Sequence, residues 1–330
     1  TRIALLSAFA RRVRHGKYTR DGRGVRAQTV QVALRAIGST FEMDGKPNPT
    51  YRPEGRYLLP IQRQLEGYRR ADPAAQAKLA VPVKVVNHIH DVGMAKRTSK
   101  ALATADVCLI AFYFLLRVGE YTSHARGANR RTVQFRARDI TFWDEDIKVI
   151  PNTASLEDLT KAHSATMRID NQKNGTRGST IHHNALHTAR CPCRALARRV
   201  HNIMSHKNGS PDDIISTYFT ATGKAKVLTN NIINTTVKTA VKATGLVEHG
   251  FPLASVSSHS LRAGGAMAMH LNDVDRDTIR KMGRWSSDTF LMYIHEQIAA
   301  FSAGISKKMS TEIGWHNVEG PTHEEAAPAA

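Results

Sequence analysis

At 330 residues, with an ordinary hydrophobic share of 41%, the sequence is long enough for two domains with their own cores. A formal net charge of +19 points to a polyanionic partner, most simply nucleic acid. The longest apolar run, Val107–Leu116, is too short to cross a bilayer, and no amphipathic anchor or lipidation signal is present, so no membrane partner is expected. Cys108, Cys191 and Cys193 are too few for a disulfide framework and suggest a reducing compartment. There is no signal-peptide pattern, and the absence of an initiating Met leaves room for sequence ahead of Thr1.

Residues 1–80 predict a small helical domain. Apolar positions recur at helical spacing over Ile3–Val13, Gln28–Phe41 and Tyr57–Tyr68, with Gly- and Pro-containing loops between them. This stretch carries 16 Lys and Arg against 6 Asp and Glu, about half of the whole charge excess. A one-signed excess of that size fits contact with the backbone of duplex DNA, and no interleaved aromatics suggest stacking on single strands. Arg11, Arg12, Arg14, Arg26 and Arg35 are the candidate contacts. Ala71–Lys84, interrupted by Pro73 and Pro82, reads as a linker.

A second domain is expected over residues 81–316, with a disordered acidic tail at 317–330. The domain opens with helices at Val85–Val92 and Ser99–Gly119. It turns to strands at Arg138–Trp143, Ile147–Ile150, Ala165–Asp170 and Ser179–His183. The remainder reads as helical: Cys193–Met204, Asn230–Thr244, Ser260–Leu271, Asp275–Met282 and Ser287–Ser302. Asn174-Gly175 is a hairpin turn, which puts Lys173 at the tip of a β-hairpin. The expected class is mainly α with a small antiparallel β-sheet, an α+β chain in two domains.

Cleaving a phosphodiester without a metal requires cations on the non-bridging oxygens, an in-line nucleophile and an acid for the leaving oxygen. No carboxylate cluster reads as a metal site, so neither metal nor cofactor is implied. Arg117 follows a buried apolar helix and precedes Glu120; an arginine there is costly unless paired or functional. His259 and Arg262 share one face at a helix start, and the arginine fork can hold two phosphate oxygens. Trp285 offers an indole N–H. Tyr293 lies about 60° off the apolar stripe of Phe290, Ile294, Ile298 and Phe301, so it can face a cleft. Its free pKa of about 10 requires nearby Arg or His if it is to act as a phenolate. Taken singly, each has an ordinary structural explanation as an ion pair, a helix cap or a core aromatic. His183, His187, Cys191 and Cys193 have spacing that permits zinc, but Pro192 more simply starts a helix. His182 or His183 would instead lie near DNA beside the hairpin.

The order Arg, Lys-hairpin, His-x-x-Arg, Trp, Tyr resembles the catalytic set of the tyrosine recombinases, the phage-integrase-type site-specific recombinases. Leu116, Arg117 and Glu120 match the Leu-Arg-x-x-Glu setting, Lys173-Asn174-Gly175 the lysine turn, and His259 with Arg262 the His-x-x-Arg box. Trp285 matches a position that is His in most members and Trp in some; Tyr293 matches the nucleophile. The resemblance spans residues 85–310 and reaches 1–80 only by placement and charge. Tyr293 lies eight residues after Trp285, one fewer than in common bacterial members, and Arg262-Ala-Gly-Gly replaces their Arg-His-Thr. Both features, with the run Gly-Arg-Trp-Ser-Ser-Asp-x-Phe-x-x-Tyr-Ile that begins at Gly283, look more like recombinases of eukaryotic mobile elements, the DIRS and Crypton types.

The resemblance implies a C-shaped clamp on double-stranded DNA, with Arg117, His259, Arg262 and Trp285 holding the scissile phosphate. Tyr293 would form a 3′-phosphotyrosyl link, and Lys173 would protonate the departing 5′-oxygen. It further implies a tetramer on two DNA sites, with the segment Gln297–Met309 docking on a neighbouring subunit. The location would be intracellular: the nucleus for a eukaryotic element, otherwise cytoplasm or nucleoid. Two other readings stay open at this point. One is a type IB topoisomerase, although a Ser-Lys-x-x-x-Tyr-like motif is absent before Tyr293. The other is a catalytically idle DNA-binding remnant of a mobile element.

Overall fold

The structure, a computed structural model, describes residues 1–73, 78–123, 132–170, 178–285, 287 and 291. It divides into two compact units, Thr1–Gln76 and Ala77–Ala330. Among the described residues no helix is long and apolar enough to cross a membrane.

The first unit is three helices: α1 (Arg2–Arg14), α2 (Ala27–Met43) and α3 (Leu59–Ala71). Leu6, Ala10 and Val13, Val30 and Leu34, and Ile61 and Leu65 recur every three or four residues and close one buried core. Asp72 fastens this unit. Its carboxylate accepts from the Arg14 guanidinium at the end of α1 and, at 2.8 Å, from the Ala27 N–H at the start of α2. Arg14 also donates to the Val25 carbonyl at 2.7 Å and lies over the Tyr68 ring. Of the five arginines singled out for DNA contact, Arg14 is therefore engaged in holding its own unit, while Arg11, Arg12, Arg26 and Arg35 are exposed.

Burial pushes the Asp72 pKa up, but hydrogen bonds from Arg14 and Ala27 outweigh it and leave the pKa below the ordinary value. A carboxylate lowered in the folded state stabilises fully above its unfolded pKa of about 3.9, and that contribution is lost as pH falls through the folded value. Asp72→Asn should therefore lower the urea midpoint at pH 7, and the gap to the parent protein should narrow at pH 3. A gap of equal size at both pH values would show that the charge of Asp72 is not what matters.

The second unit is built around α5 (Ser99–Tyr113), in which every residue from Ala103 to Phe112 is buried. A helix apolar all round belongs at the centre of a core. α4 (Val83–Lys96), α7 (Pro192–Met204), α8 (Asn230–Ala243) and α9 (His259–Leu271) all pack on it. The main sheet has the order β2-β1-β3-β4 and is antiparallel throughout, from β1 (Ile140–Trp143), β2 (Val149–Ile150), β3 (Ser164–Ile169) and β4 (Ser179–Asn184). A short α6 (Leu156–Thr160) lies between β2 and β3, and α10 (Arg276–Gly283) follows α9.

Two elements differ from the sequence reading. α5 stops at Tyr113, short of the expected Gly119, because Leu115 takes a left-handed backbone with φ of +49°. A second, two-stranded sheet, β5 (Thr217–Phe219) with β6 (Ala225–Val227), stands between two expected helices, where the sequence reading placed no element. Its turn is made by Gly223 at φ +74°, with the Gly223 N–H donating to the Thr220 carbonyl at 2.8 Å.

Pro192 does open α7, and the cysteines flanking it are buried and free. The Leu186 N–H donates to Cys191 Sγ at 3.1 Å, and Cys193 Sγ donates to the His183 carbonyl at 3.2 Å. The His183 ring in turn bonds the Tyr113 carbonyl at 2.9 Å. The neighbouring Cys193 thiol, more than any other factor, pulls the Cys191 thiol down to a pKa of about 5. Among the described residues no group of three or more His, Cys, Asp or Glu is arranged to hold a metal ion.

Candidate active site

Two helix ends and one helix start build the site. At the end of α5, the Leu116 N–H reaches back to the Ala111 carbonyl at 3.0 Å across the left-handed Leu115. This is a helix ending that glycine usually occupies, and a side chain there costs about 1–2 kcal/mol. The chain then leaves the helix, and Arg117 begins a single tight turn, Val118–Glu120. The Glu120 carboxylate closes that turn, accepting from the Arg117 N–H at 2.9 Å and from its guanidinium at 3.1 Å.

α10 ends in the same manner. The Trp285 N–H donates to the Arg280 carbonyl and the Arg284 N–H to the Lys281 carbonyl, both at 3.0 Å, with Arg284 at φ +55°. Gly283 is required here because the Trp285 indole fills the place of its side chain: a Cβ would lie 1.7 Å from the ring.

The start of α9 is held by α8. The Ser258 N–H donates to Asn234 Oδ1 at 2.6 Å and its hydroxyl to Asn230 Oδ1 at 2.8 Å, which fixes the residue before His259. Further along α9, a Cβ on Gly264 would meet the Val81 carbonyl at 2.2 Å, and one on Gly265 the Phe112 carbonyl at 2.1 Å. The paired glycines let α9 press on the last turn of α5, which brings Arg262 to Leu115. That contact is the physical content of the Arg-Ala-Gly-Gly run.

The three segments meet on shared acceptors. The Leu115 carbonyl accepts from Arg262 Nη1 at 2.5 Å and from Arg284 Nη2 at 2.9 Å. Arg284 Nη2 also reaches Glu120 Oε2 at 3.1 Å, the oxygen that takes the Arg117 N–H. Arg262 Nη2 donates to the Gly283 carbonyl, and Arg117 Nη2 to the Arg284 carbonyl at 3.3 Å. The Arg262 guanidinium lies 4.4 Å from the centre of the Trp285 ring, a cation–π contact. Glu120 is 0% exposed, Arg262 1% and Arg284 9%, whereas the Arg117 side chain keeps 23%.

Two guanidiniums, Arg117 and Arg284, thus share the Glu120 carboxylate, with Arg262 joined to Arg284 through the Leu115 carbonyl, in a poorly hydrated place where electrostatic attraction acts strongly. A guanidinium has five N–H donors, so anchoring to carbonyls and binding an anion use different hydrogens. Burial lowers the Arg284 pKa and so does the charge of Arg117, with Glu120 opposing both. The half-buried His259 is also lowered, first by burial and then by the charges of Arg262 and Arg117. Its ring is therefore neutral at pH 7 and able to take up a proton. The arrangement can hold a phosphodiester and offer a neutral imidazole beside it.

Arg117, Glu120, His259, Arg262 and Trp285 are thus brought into one cluster. Lys173, in the connection between β3 and β4, and Tyr293 lie outside the described residues. Sequence reasoning missed Arg284 as a member of this site. Its signal was the Gly-Arg-Trp turn itself, in which an arginine holds a position that favours glycine.

No protein-family model matches the sequence, and no curated protein matches it. Solved structures are similar. The XerH site-specific recombinase, bound to palindromic difH substrate in a post-cleavage complex, is 14% identical over 92% of this chain and 72% of its own, with a TM-score of 0.51. The Tn1549 transposon integrase in complex with circular intermediate DNA is 11% identical over 89% of this chain and 80% of its own, with a TM-score of 0.46. The XerA recombinase is 9% identical over 94% and 90%, with a TM-score of 0.40. This mainly helical chain with its small antiparallel sheets has the tyrosine-recombinase fold over about nine-tenths of its length.

Proposed function

We propose that the protein is a site-specific DNA recombinase that cuts and rejoins duplex DNA through a 3′-phosphotyrosyl intermediate. The observation that carries this reading is the convergence of Arg117, Arg262 and Arg284, from segments far apart in sequence, on Glu120 and the Leu115 carbonyl. Three arginines drawn together beside a half-buried histidine form a strongly cationic site suited to a phosphodiester. Such a site takes an anion. The post-cleavage DNA complex of XerH supports DNA as that anion.

In this mechanism Arg117 and Arg262 hold the non-bridging oxygens of the scissile phosphate, with Trp285 beside them. The Tyr293 oxygen attacks phosphorus as its proton passes toward His259. The bond from phosphorus to the 5′-oxygen breaks, and Lys173 gives that oxygen a proton. A 5′-hydroxyl from a partner strand then reverses the steps, so the bond energy is kept and no nucleotide is consumed. Exposed Arg11, Arg12, Arg26 and Arg35 contact the duplex backbone. The working form is a tetramer on two DNA sites, linked through the C-terminal segment. The Gly-Arg-Trp and Arg-Ala-Gly-Gly runs favour the recombinases of eukaryotic mobile elements, and hence the nucleus.

The test is capture on a pool of nicked suicide duplexes with randomised sequence. The expected product is a covalent protein–DNA adduct through the DNA 3′ end, carried on the peptide that contains Tyr293. Failure to form an adduct with any member of the pool would sink the proposal. Rapid relaxation of supercoiled plasmid by a monomer would move the assignment to a topoisomerase.

A further inference from the structure

We propose that Arg284 is the positioning residue of the phosphate grip, coupling Arg117 to Arg262 without itself touching the DNA; this rests on the recombinase reading above. One nitrogen, Arg284 Nη2, bonds both the Leu115 carbonyl and Glu120 Oε2, at 2.9 and 3.1 Å. Each of those acceptors serves a different arginine: Leu115 takes Arg262, and Glu120 takes Arg117. Arg284 is the donor the two have in common. With its side chain removed, Arg117 keeps Glu120 and Arg262 keeps Leu115, but both lose the nitrogen that joins the two acceptors.

The backbone of the same residue makes a second link. The carbonyls of Gly283 and Arg284 are consecutive, and they accept from Arg262 Nη2 and Arg117 Nη2 respectively. Both the side chain and the main chain of the Gly283-Arg284 turn thus bind the two arginines together. Trp285, the next residue, covers the face of the Arg262 guanidinium. The turn is held in a left-handed backbone that glycine would adopt without strain, and an arginine stands there instead. Arg284 Nη2 is taken up by both the Leu115 carbonyl and Glu120, and the residue is 9% exposed against 23% for the Arg117 side chain, which suits alignment of its neighbours more than contact with DNA. A lysine could supply the charge at this position, but not the planar fork that fixes direction at two acceptors.

Removing Arg284 should leave the duplex-binding surface intact and spoil the alignment of the two arginines, as a small misplacement of catalytic groups does. Arg284→Met is expected to slow single-turnover adduct formation on a captured duplex about 100-fold. Duplex affinity, measured in a Tyr293→Phe background so that no cleavage intervenes, should stay at the parent level. Arg284→Lys should recover part of the rate. The pH–rate profile of Arg284→Met should move to higher pH, because Arg262 and Arg117, whose charges help lower the His259 pKa, would be displaced from it. Guanidinium ion added to Arg284→Ala should restore cleavage, a result that a fold defect would not give.

Cleavage by Arg284→Met at the parent rate would overturn the proposal. A loss that appears wholly in duplex affinity would overturn it too, because Arg284 would then be a DNA contact. Equal slowing in the Lys and Met variants, with an unmoved pH profile and no guanidinium rescue, would reduce Arg284 to a structural residue. If the parent protein forms no adduct at all, the recombinase reading falls and this one with it. If the parent cuts and Arg284→Met cuts equally well, only this one falls.

Discussion

Glu120→Ala is expected to cost about 3–5 kcal/mol of folding stability, the range seen when one partner of a buried ion pair is deleted. Total stability is only about 5–15 kcal/mol, so the second unit should unfold at much lower urea. The size follows from what the carboxylate holds. Glu120 is 0% exposed, and its oxygens accept from the Arg117 N–H, the Arg117 guanidinium and the Arg284 guanidinium. Without it, the buried Arg284 guanidinium and the Arg117 guanidinium both lose the carboxylate they share. Glu120→Gln keeps the acceptor oxygen and loses the charge, and should fall between parent and Ala. Arg284→Met placed on Glu120→Ala removes one of the stranded charges and should recover stability, a coupling that a double-mutant cycle reads directly. Urea midpoints of the four proteins, measured without DNA, decide the matter. A Glu120→Ala loss below about 1 kcal/mol, the worth of an exposed pair, would mean that the cluster is open to water.

The helices were legible because their apolar spacing is local. Leu6, Ala10 and Val13, or Ile61 and Leu65, announce a buried stripe within a few residues of one another. The end of α5 was not legible for the opposite reason. The apolar run continues to Leu116, so the pattern gives no stop, and the left-handed Leu115 is sustained by Arg262 and Arg284, far away in the chain. The β5–β6 hairpin was missed because three-residue strands are too short to show an alternation. Arg14 reads as one more surface cation at a helix end, and only its pairing with Asp72 turns it inward. Arg284 is the same case at the site: an arginine in a turn looks solvated until the partners that bury it are in place. One departure from the bacterial pattern, the Arg-Ala-Gly-Gly run, is explained by packing. The glycines after Arg262 are where α9 meets the backbone at Val81 and at Phe112 of α5.

Tyr293→Phe is expected to abolish the covalent adduct while leaving duplex binding in place, because it removes one oxygen and no charge. Lys173→Met is expected to slow cleavage by about 100- to 10,000-fold, the usual contribution of a general acid. The two roles can be separated by the leaving group. A duplex with sulfur in place of the bridging 5′-oxygen at the cut site departs as a thiolate, whose conjugate acid has a pKa of about 8.5, near that of a cysteine thiol. Such a group leaves without a proton, so Lys173→Met should regain close to the parent rate on it. Tyr293→Phe should not, since no leaving group replaces a missing nucleophile. Arg262→Lys supplies the control. Arg262 acts on the non-bridging oxygens, which are the same in both duplexes, so that variant should stay slow on each. Equal slowing of Lys173→Met on the oxygen and sulfur duplexes would make Lys173 a phosphate-holding cation rather than an acid. An adduct that persists in Tyr293→Phe would move the nucleophile to another side chain.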